Sequence, residues 1–582
     1  LFCVGRSSKP VIRLDPPDNL VDPRIGIPDS VPISLVIPTF NRASLLKVCL
    51  QALSAQTQPA GDFEVIVVVD GSTDHTREVL AQSRFPYQLR VLCQSNKGQP
   101  AALNLGVKQA RGRYLLFLDD DMLADPRLIA EHLRVQNQQQ EAVVIGQIRL
   151  KLPPRSDWFV RCVAERWRSH YERLNRQKEP PSWTDCYSGN LSVPRAAVLR
   201  IGGFALDLPR SYDIELGYRL FQLNLPLVYA AAAVSVQEEQ KTFRELTLDA
   251  ERAGFSCVRL WRRYPETLPQ LLGSFNEAKP RERLLRRVLL SWNIPPQWIA
   301  RAGSFCPHPS WTSRLQFLYD YSYWRGVRKA LSNKETWRRL THNTLILMYH
   351  AFGGREEPPS RFILPAQRFA RQMAWLSRLG YNVLGLEEFL SYRREGRLPP
   401  APSVVITIDD GYEDNYTRAF PILRHHKFPA TIFLVSQKLG QDNHWDEGST
   451  LTGRPLLSLA QVKEMFKEGI RFGAHTRTHP HLSTLGDLEI REEIYGSKQD
   501  LEKMLNVPIQ TFAYPYGDFN AAVTAVAEGA GFEGSCSVES GANSPRTPLH
   551  MLRRVEVRGT DSFFCFLMTL WSPDRRCRRK RG

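Results

Sequence analysis

Residues 407–414 read TIDDGYED, and the adjacent carboxylates Asp409 and Asp410 stand where the β-branched run Val404-Val405-Ile406 predicts a buried strand to end. Like charges held side by side repel, and each resists leaving water. A cation would neutralise one of the pair and leave the other free as a base. Further on, HTRTHPHL sets His475 and His479 four residues apart, a spacing at which two imidazoles can share a metal. One carboxylate with two imidazoles leaves coordination positions open for water, as a hydrolytic metal site requires. An earlier stretch, FLDDDMLADP, gathers Asp119, Asp120 and Asp121 at another expected strand end. Such carboxylates suit Mg2+ or Mn2+, which favour hard oxygen ligands and bridge to nucleotide phosphates.

Two stretches of alternating strands and helices must position these groups. Over 33–150 the runs ISLVIP, FEVIVVV, LRVLC, YLLFL and AVVIG are separated by helical patterns, which predicts a mostly parallel α/β sheet. From 344 the alternation returns in TLILMYH, SVVITIDD, ATIFLV, IRFGAH and QTFAYPYG. Four of these later strands end in reactive residues: His350, the Asp409–Asp410 pair, His475, and the turn Pro515-Tyr516-Gly517. Parallel α/β folds, and barrels especially, collect such strand-end loops into one site. The expected organisation is an irregular arm over 1–30, an α/β unit over 31–240, an amphipathic helical linker over 241–340, a barrel-like (β/α) unit over 341–560, and a basic tail over 561–582.

A chain of 582 residues is too long for one core, so more than one domain is expected. No run approaches the roughly 18 apolar residues of a spanning helix, and the opening LFCVGRSSKP lacks a signal-peptide pattern. Ten scattered cysteines without a C-x-x-C point to reduced thiols and a cytoplasmic location. Of the net charge of +17, six positive charges lie in RRCRRKR at 575–581, a candidate for peripheral contact with the inner face of a membrane. The bland alternative is a solvated end, and no nucleic-acid partner is expected. No G-x-G-x-x-G follows the first strand, which argues against a dinucleotide dehydrogenase.

The motifs TIDDG, HTRTH and AYPYG resemble those of the polysaccharide deacetylase (NodB-homology, carbohydrate esterase 4) family over about 344–560. That resemblance implies Asp409 as general base, with Asp410, His475 and His479 holding Zn2+ or a similar divalent ion. It also implies Tyr516 at the oxyanion. The MYH ending at His350 and the loop NHWDE, with Trp445, look like the branch that deacetylates poly-N-acetylglucosamine. Ala513 stands where the family usually has the arginine that orients the base. The departing amine needs a proton donor, for which His350 and His550 are the candidates; His350 is preferred because its strand should end on the same edge as Asp409.

LVIPTFNRASLL, VVVDGSTDHT, NKGQPAALNLG, the Asp119–Asp121 cluster, SGNLSV, IGGF and YDIELGYRL resemble, in that order, glycosyltransferase family 2 with its GT-A fold over about 31–240. The resemblance implies Pro38 and Asp70 at the nucleotide, Asp119 and Asp121 framing the diphosphate metal with Asp121 as ligand, and Asp213 as the base on the acceptor hydroxyl. Tyr212 and Val69 replace acidic residues common in the family. The expectation is a bifunctional enzyme: inverting transfer from a nucleotide-diphosphate sugar to a glycan or glycolipid, and metal-dependent N-deacetylation of an N-acetylhexosamine glycan. Two alternatives stay open: one live domain only, or a nucleic-acid- or membrane-binding protein on degenerate enzyme folds.

Overall fold

The structure, a computed structural model, describes residues 20–21, 31–139, 141–152, 158–238, 241–303, 311–354, 356–445 and 448–571. The basic tail at 575–581 and Asp446 and Glu447 of the NHWDE loop lie outside them. Two compact units emerge, Leu1–Arg259 with Leu289–Ala330 and Leu260–Val288 with Leu331–Gly582.

The first unit is built on nine strands: β1 (Leu20–Val21), β2 (Ile33–Thr39), β3 (Phe63–Asp70), β4 (Gln88–Gln94), β5 (Tyr114–Leu118), β6 (Met122–Ala124), β7 (Val143–Lys151), β8 (Asn190–Pro194) and β9 (Leu227–Glu238). Every residue of β2, β3 and β5 is buried, which is why these strands read as continuous apolar runs. Their order is β1-β4-β3-β2-β5-β8-β7-β9-β6. The run β4-β3-β2-β5 is parallel, and β8 then joins antiparallel to β5. Chain order reverses between β2 and β5, so the crevice past their carboxyl ends is where such a sheet binds ligands. The N-terminal arm is not wholly irregular: β1 adds antiparallel to the edge of β4.

The second unit carries β10 (Leu345–Tyr349), β11 (Ala351–Gly353), β12 (Ile363–Pro365), β13 (Asn382–Leu384), β14 (Ser403–Ile408), β15 (Thr431–Leu434), β16 (Arg471–Ala474), β17 (Thr511–Ala513), β18 (Gly534–Cys536) and β19 (Val555–Glu556). The main sheet runs β18-β17-β16-β15-β14-β10-β19, parallel throughout. A parallel bridge between Cys536 and Leu552, just before β19, brings its two edges together. The result is a small curled barrel of parallel strands. Alternation along these strands separates two apolar layers. Leu345, Leu347, Val404, Ile406, Ile408 and Phe512 share one core with the helices Ala366–Arg378 and Asp487–Leu505. Ile346, Val405, Phe433, Ala513, Cys536 and Leu552 form the other, inward one.

The region 241–340 is helical, as its periodicity predicts, but it is not a linker. The helices Phe243–Arg263 and Trp311–Ala330 belong chiefly to the first unit, and residues 260–288 to the second. Among the described residues no helix is long and apolar enough to cross a membrane.

Candidate active sites

In the second unit, parity decides which strand-end residues meet. Val405 faces the inward core, so Thr407 and Asp409 face inward too; Ile346 does the same for His350, and Phe433 and Gly473 for His475. Asp409 N–H donates to the Tyr349 carbonyl at 2.9 Å, which sets His350 beside the carboxylate pair. Asp410, His475 and His479 are buried, and one ligand atom from each falls within 4.8 Å of the others. It is the one such group among the described residues. The Nε2 atoms of His475 and His479 each lie 3.4 Å from Asp410 Oδ1.

These three side chains fit a divalent cation on their own chemistry. His475 Nδ1 lies 2.7 Å from the Ala513 carbonyl, so it is the protonated nitrogen and Nε2 presents a lone pair. A lone pair facing a buried carboxylate is repulsive unless the imidazole is protonated or a cation lies between them. Two imidazole nitrogens and a carboxylate oxygen converging on one point are a donor set that suits a divalent cation. Burial by itself would push the Asp410 carboxyl up; with Nε2 of both imidazoles protonated, their hydrogen bonds and charge outweigh it and hold the group well below the usual range. Asp410, Thr476, His479 and Tyr516 all have positive φ, at 72°, 67°, 69° and 57°. Left-handed backbone costs energy for residues with side chains, and for the β-branched Thr476 it is rare, so strain gathers at this site.

Asp409 has a different partner. Arg554 grips it with Nη1 at 2.6 Å from Oδ1 and Nη2 at 2.8 Å from Oδ2, and both residues are buried. Burial raises the Asp409 carboxyl; the guanidinium, helped by His475 and His350, more than reverses it and keeps the group ionised. The arginine missing at Ala513 is therefore supplied by the segment that closes the barrel, and the Ala513 carbonyl orients His475 instead. Sequence reasoning missed Arg554. The available signal was RRVEV: alternation there turns Arg553 outward, half exposed, and Arg554 inward.

The remaining expected residues surround this core. Trp445 stacks on His479 at 4.9 Å between ring centroids, and Tyr516 meets His479 edge-on at 4.6 Å while stacking on His481 at 4.0 Å. Tyr516 hydroxyl reaches the Trp445 carbonyl at 3.4 Å, so the two rings and their loops roof the triad. The His350 ring packs edge-on against Phe362 at 5.0 Å, and Asn415 donates to its carbonyl at 2.9 Å. His550 lies on the turn Leu549–Met551 that precedes the closing segment. Its Nδ1 is 3.1 Å from Ser535 Oγ, and burial lowers its pKa.

In the first unit one cavity of about 750 Å3 is lined by Pro38, Asp70, Asp119, Asp121 and Asp213 together. It opens at the carboxyl ends of β2, β3 and β5. Asp120 is committed elsewhere, accepting from Thr39 Oγ1 at 2.7 Å and Arg42 Nη1 at 3.0 Å. Burial and the adjacent Asp121 and Asp120 push Asp119 up to about 7, a crowding that a divalent cation would relieve. Gln99 donates to Asp119 at 2.9 Å and Gln237 to Asp121 at 3.1 Å, which orients both carboxylates. The Asp70 carboxylate accepts from Gln94 Nε2, Lys97 N and Gly98 N, each at 2.8 Å. It therefore fixes the 94–98 loop and retains little capacity for another partner.

Asp213 opens the helix Tyr212–Gln222, and its oxygens accept from the backbone N–H groups of Ile214 at 2.9 Å and Ser188 at 3.3 Å. Burial raises its pKa against the opposing pull of Arg210 and those N–H groups. Glu215, two residues further along, is used differently: it holds Arg219 through two contacts of 2.8 and 2.6 Å. Sequence reasoning missed the rest of this cavity wall, in which Trp167, Tyr187 and Arg210 join Tyr319 and Tyr323 from the helical region.

Two known families match the chain. Glycosyl transferase family 2 covers residues 34–202, and the polysaccharide deacetylase family covers 397–535. Poly-beta-1,6-N-acetyl-D-glucosamine N-deacetylase of Staphylococcus aureus is 30% identical over 213 residues, 35% of this chain and 70% of that protein. Validoxylamine A glucosyltransferase of Streptomyces hygroscopicus subsp. jinggangensis is 30% identical over 275 residues, 42% of this chain; the chain spans 64% of that enzyme's length. Among solved structures, the Streptococcus pyogenes deacetylase PplD in complex with acetate is 27% identical, with a TM-score of 0.35 over 39% of this chain and 98% of its own.

Proposed function

We propose that this chain, which belongs to the polysaccharide deacetylase family and carries a glycosyl transferase family 2 domain, joins inverting sugar transfer to metal-dependent N-deacetylation. The observation that carries the second activity is the buried Asp410–His475–His479 cluster beside an arginine-clamped Asp409. Asp410, His475 and His479 would hold a divalent cation, which when bound would supply the charge to polarise an amide carbonyl and acidify water. Asp409, ionised and fixed by Arg554, takes the proton of the attacking water. His350, on the next strand end, gives a proton to the departing amine. Tyr516 and Trp445 close over the N-acetylhexosamine and shield the tetrahedral intermediate from bulk water.

For sugar transfer, Asp119 and Asp121 would hold Mg2+ or Mn2+ against the diphosphate, with Pro38 and the loop anchored by Asp70 beside the nucleotide. Asp213, whose burial raises its basicity, takes the proton of the acceptor hydroxyl on the face opposite the diphosphate, so the anomeric centre inverts. The test is mass spectrometry of products from purified protein given nucleotide sugars and, separately, N-acetylated oligosaccharides. Both transfer and loss of acetyl are expected. Deacetylation should vanish after chelation and return with Zn2+. Deacetylation that persists in the stripped protein rules out the metal assignment.

A further inference from the structure

On the helix Pro280–Ser291, PRERLLRRVLLS, Leu290 is buried, but three other apolar side chains face outward while arginines face inward. Arg286 is 3% exposed, with Nη1 on the Phe275 carbonyl and its guanidinium 5.6 Å from the Phe275 ring. Arg283 donates to the Asn276 carbonyl and Arg287 to that of Thr341, so three arginines are turned into the protein. Leu284, Leu285 and Val288 are instead 64%, 49% and 48% exposed. Trp292, the residue after the helix, is 77% exposed. At about 100° per residue, Arg281, Leu284, Leu285, Val288 and the position of Trp292 fall within an arc of roughly 100°. Exposed apolar residues scattered singly need no explanation, but a face of this width does. Leu290 anchors the helix as in an ordinary amphipathic helix, but the Leu284–Leu285–Val288 face is left in water, so that face is arranged for a different surface.

We propose that this face docks the enzyme on an anionic phospholipid surface. Aliphatic side chains with a flanking tryptophan suit the acyl–headgroup boundary. Arg281, exposed on the same face, and a chain of net charge +17 complement anionic headgroups. The helix inserts its leucine face while the buried arginines fasten its other side to the protein. This surface is distinct from the tail at 575–581, and it places the enzyme where a lipid-linked acceptor would be met.

The test is co-sedimentation of the full chain with vesicles of phosphatidylcholine alone and of phosphatidylcholine with phosphatidylglycerol, each at two salt concentrations. The comparison is with the full-length triple variant Leu284→Ser, Leu285→Ser, Val288→Ser, tail intact. Wild type should bind the anionic vesicles, more weakly at high salt, and the variant should bind at least about tenfold less. Its circular dichroism and sugar transfer in solution should be unchanged. Equal binding of the two proteins, or none by wild type, overturns the proposal. So does a wild-type dimer in light scattering that the triple variant converts to monomer, which would assign the face to a second copy. If the variant fails to fold, the milder Leu284→Ser and Val288→Ser single variants carry the same comparison.

Discussion

Asp409 is buried and Asp213 half-buried, each at a strand or helix end, yet their surroundings drive them in opposite directions. A bidentate arginine keeps Asp409 charged, whereas burial dominates at Asp213. For Asp213→Asn we expect loss of sugar transfer with nucleotide affinity near wild type, because a base matters in the transition state more than in the ground state. Isothermal titration beside a rate assay separates the two, and robust transfer by the variant rejects the role. At the other site, His350→Ala should cut deacetylation by roughly 10²–10⁴-fold with metal content unchanged, as loss of a general acid does. His550→Ala, whose imidazole rests on Ser535, should do little; the reverse pattern in rates and metal analysis would exchange their roles. Arg554→Met strands a buried anion and should cost roughly 3–5 kcal/mol in denaturant unfolding, much of it regained in the double variant with Asp409→Asn. If the double variant is no more stable than the single, the pair is not the source of the cost.

The elements that carry these residues differ in how plainly the sequence announces them. Strands β2, β3, β10 and β14 are legible because each is a largely apolar run that ends in a polar residue or is followed at once by one, and hydrophobic burial leaves such runs few alternatives. The closing segment before β19 was not, since Arg554 is placed by the register of a two-residue strand against β10, and register is a tertiary property. Likewise, the periodicity of 241–340 shows that its helices bury a face but not what covers it. A buried helix-to-strand tie lends itself to a pH test. His132, on the helix Leu128–Gln139, places its ring nitrogens 2.9 Å from Ser192 Oγ and 2.8 Å from Asn190 Oδ1, both on β8. Burial, partly offset by Asn190, brings its pKa down to about 4. The unfolded chain then binds this proton more readily, so the contribution is intact above about pH 6.5 and lost as pH falls toward 4, by roughly 3 kcal/mol in all. Urea titrations across that window should show the slope in wild type and a flatter one in His132→Gln. Equal slopes would mean the imidazole stays accessible to protons.

Over the whole molecule the chain passes between the two units three times, after residues 259, 288 and 330. No single cut can therefore free both units intact, although each carries its own strands and its own cluster of acidic or imidazole side chains. Residues 260–288 are fastened to the second unit by specific contacts: Trp261 Nε1 donates to the Gly396 carbonyl at 3.0 Å, Arg546 pairs with Glu277 at 2.9 Å, and Asn276 donates to Asn343 at 2.7 Å. Phe275 meets Trp337 edge-on at 5.4 Å. Gly396, at φ 60°, approaches so closely that a Cβ there would lie 2.0 Å from the Pro265 carbonyl oxygen. A fragment of 341–582 loses all these partners and exposes the surface they cover. We expect it to aggregate, or to melt at least about 5 °C below a chain of 260–288 joined by a Gly/Ser linker to 331–582. Scanning fluorimetry with a parallel deacetylation assay compares the two. Equal melting and equal activity would show that 260–288 adds nothing to the second unit and that the boundary lies near 340 after all.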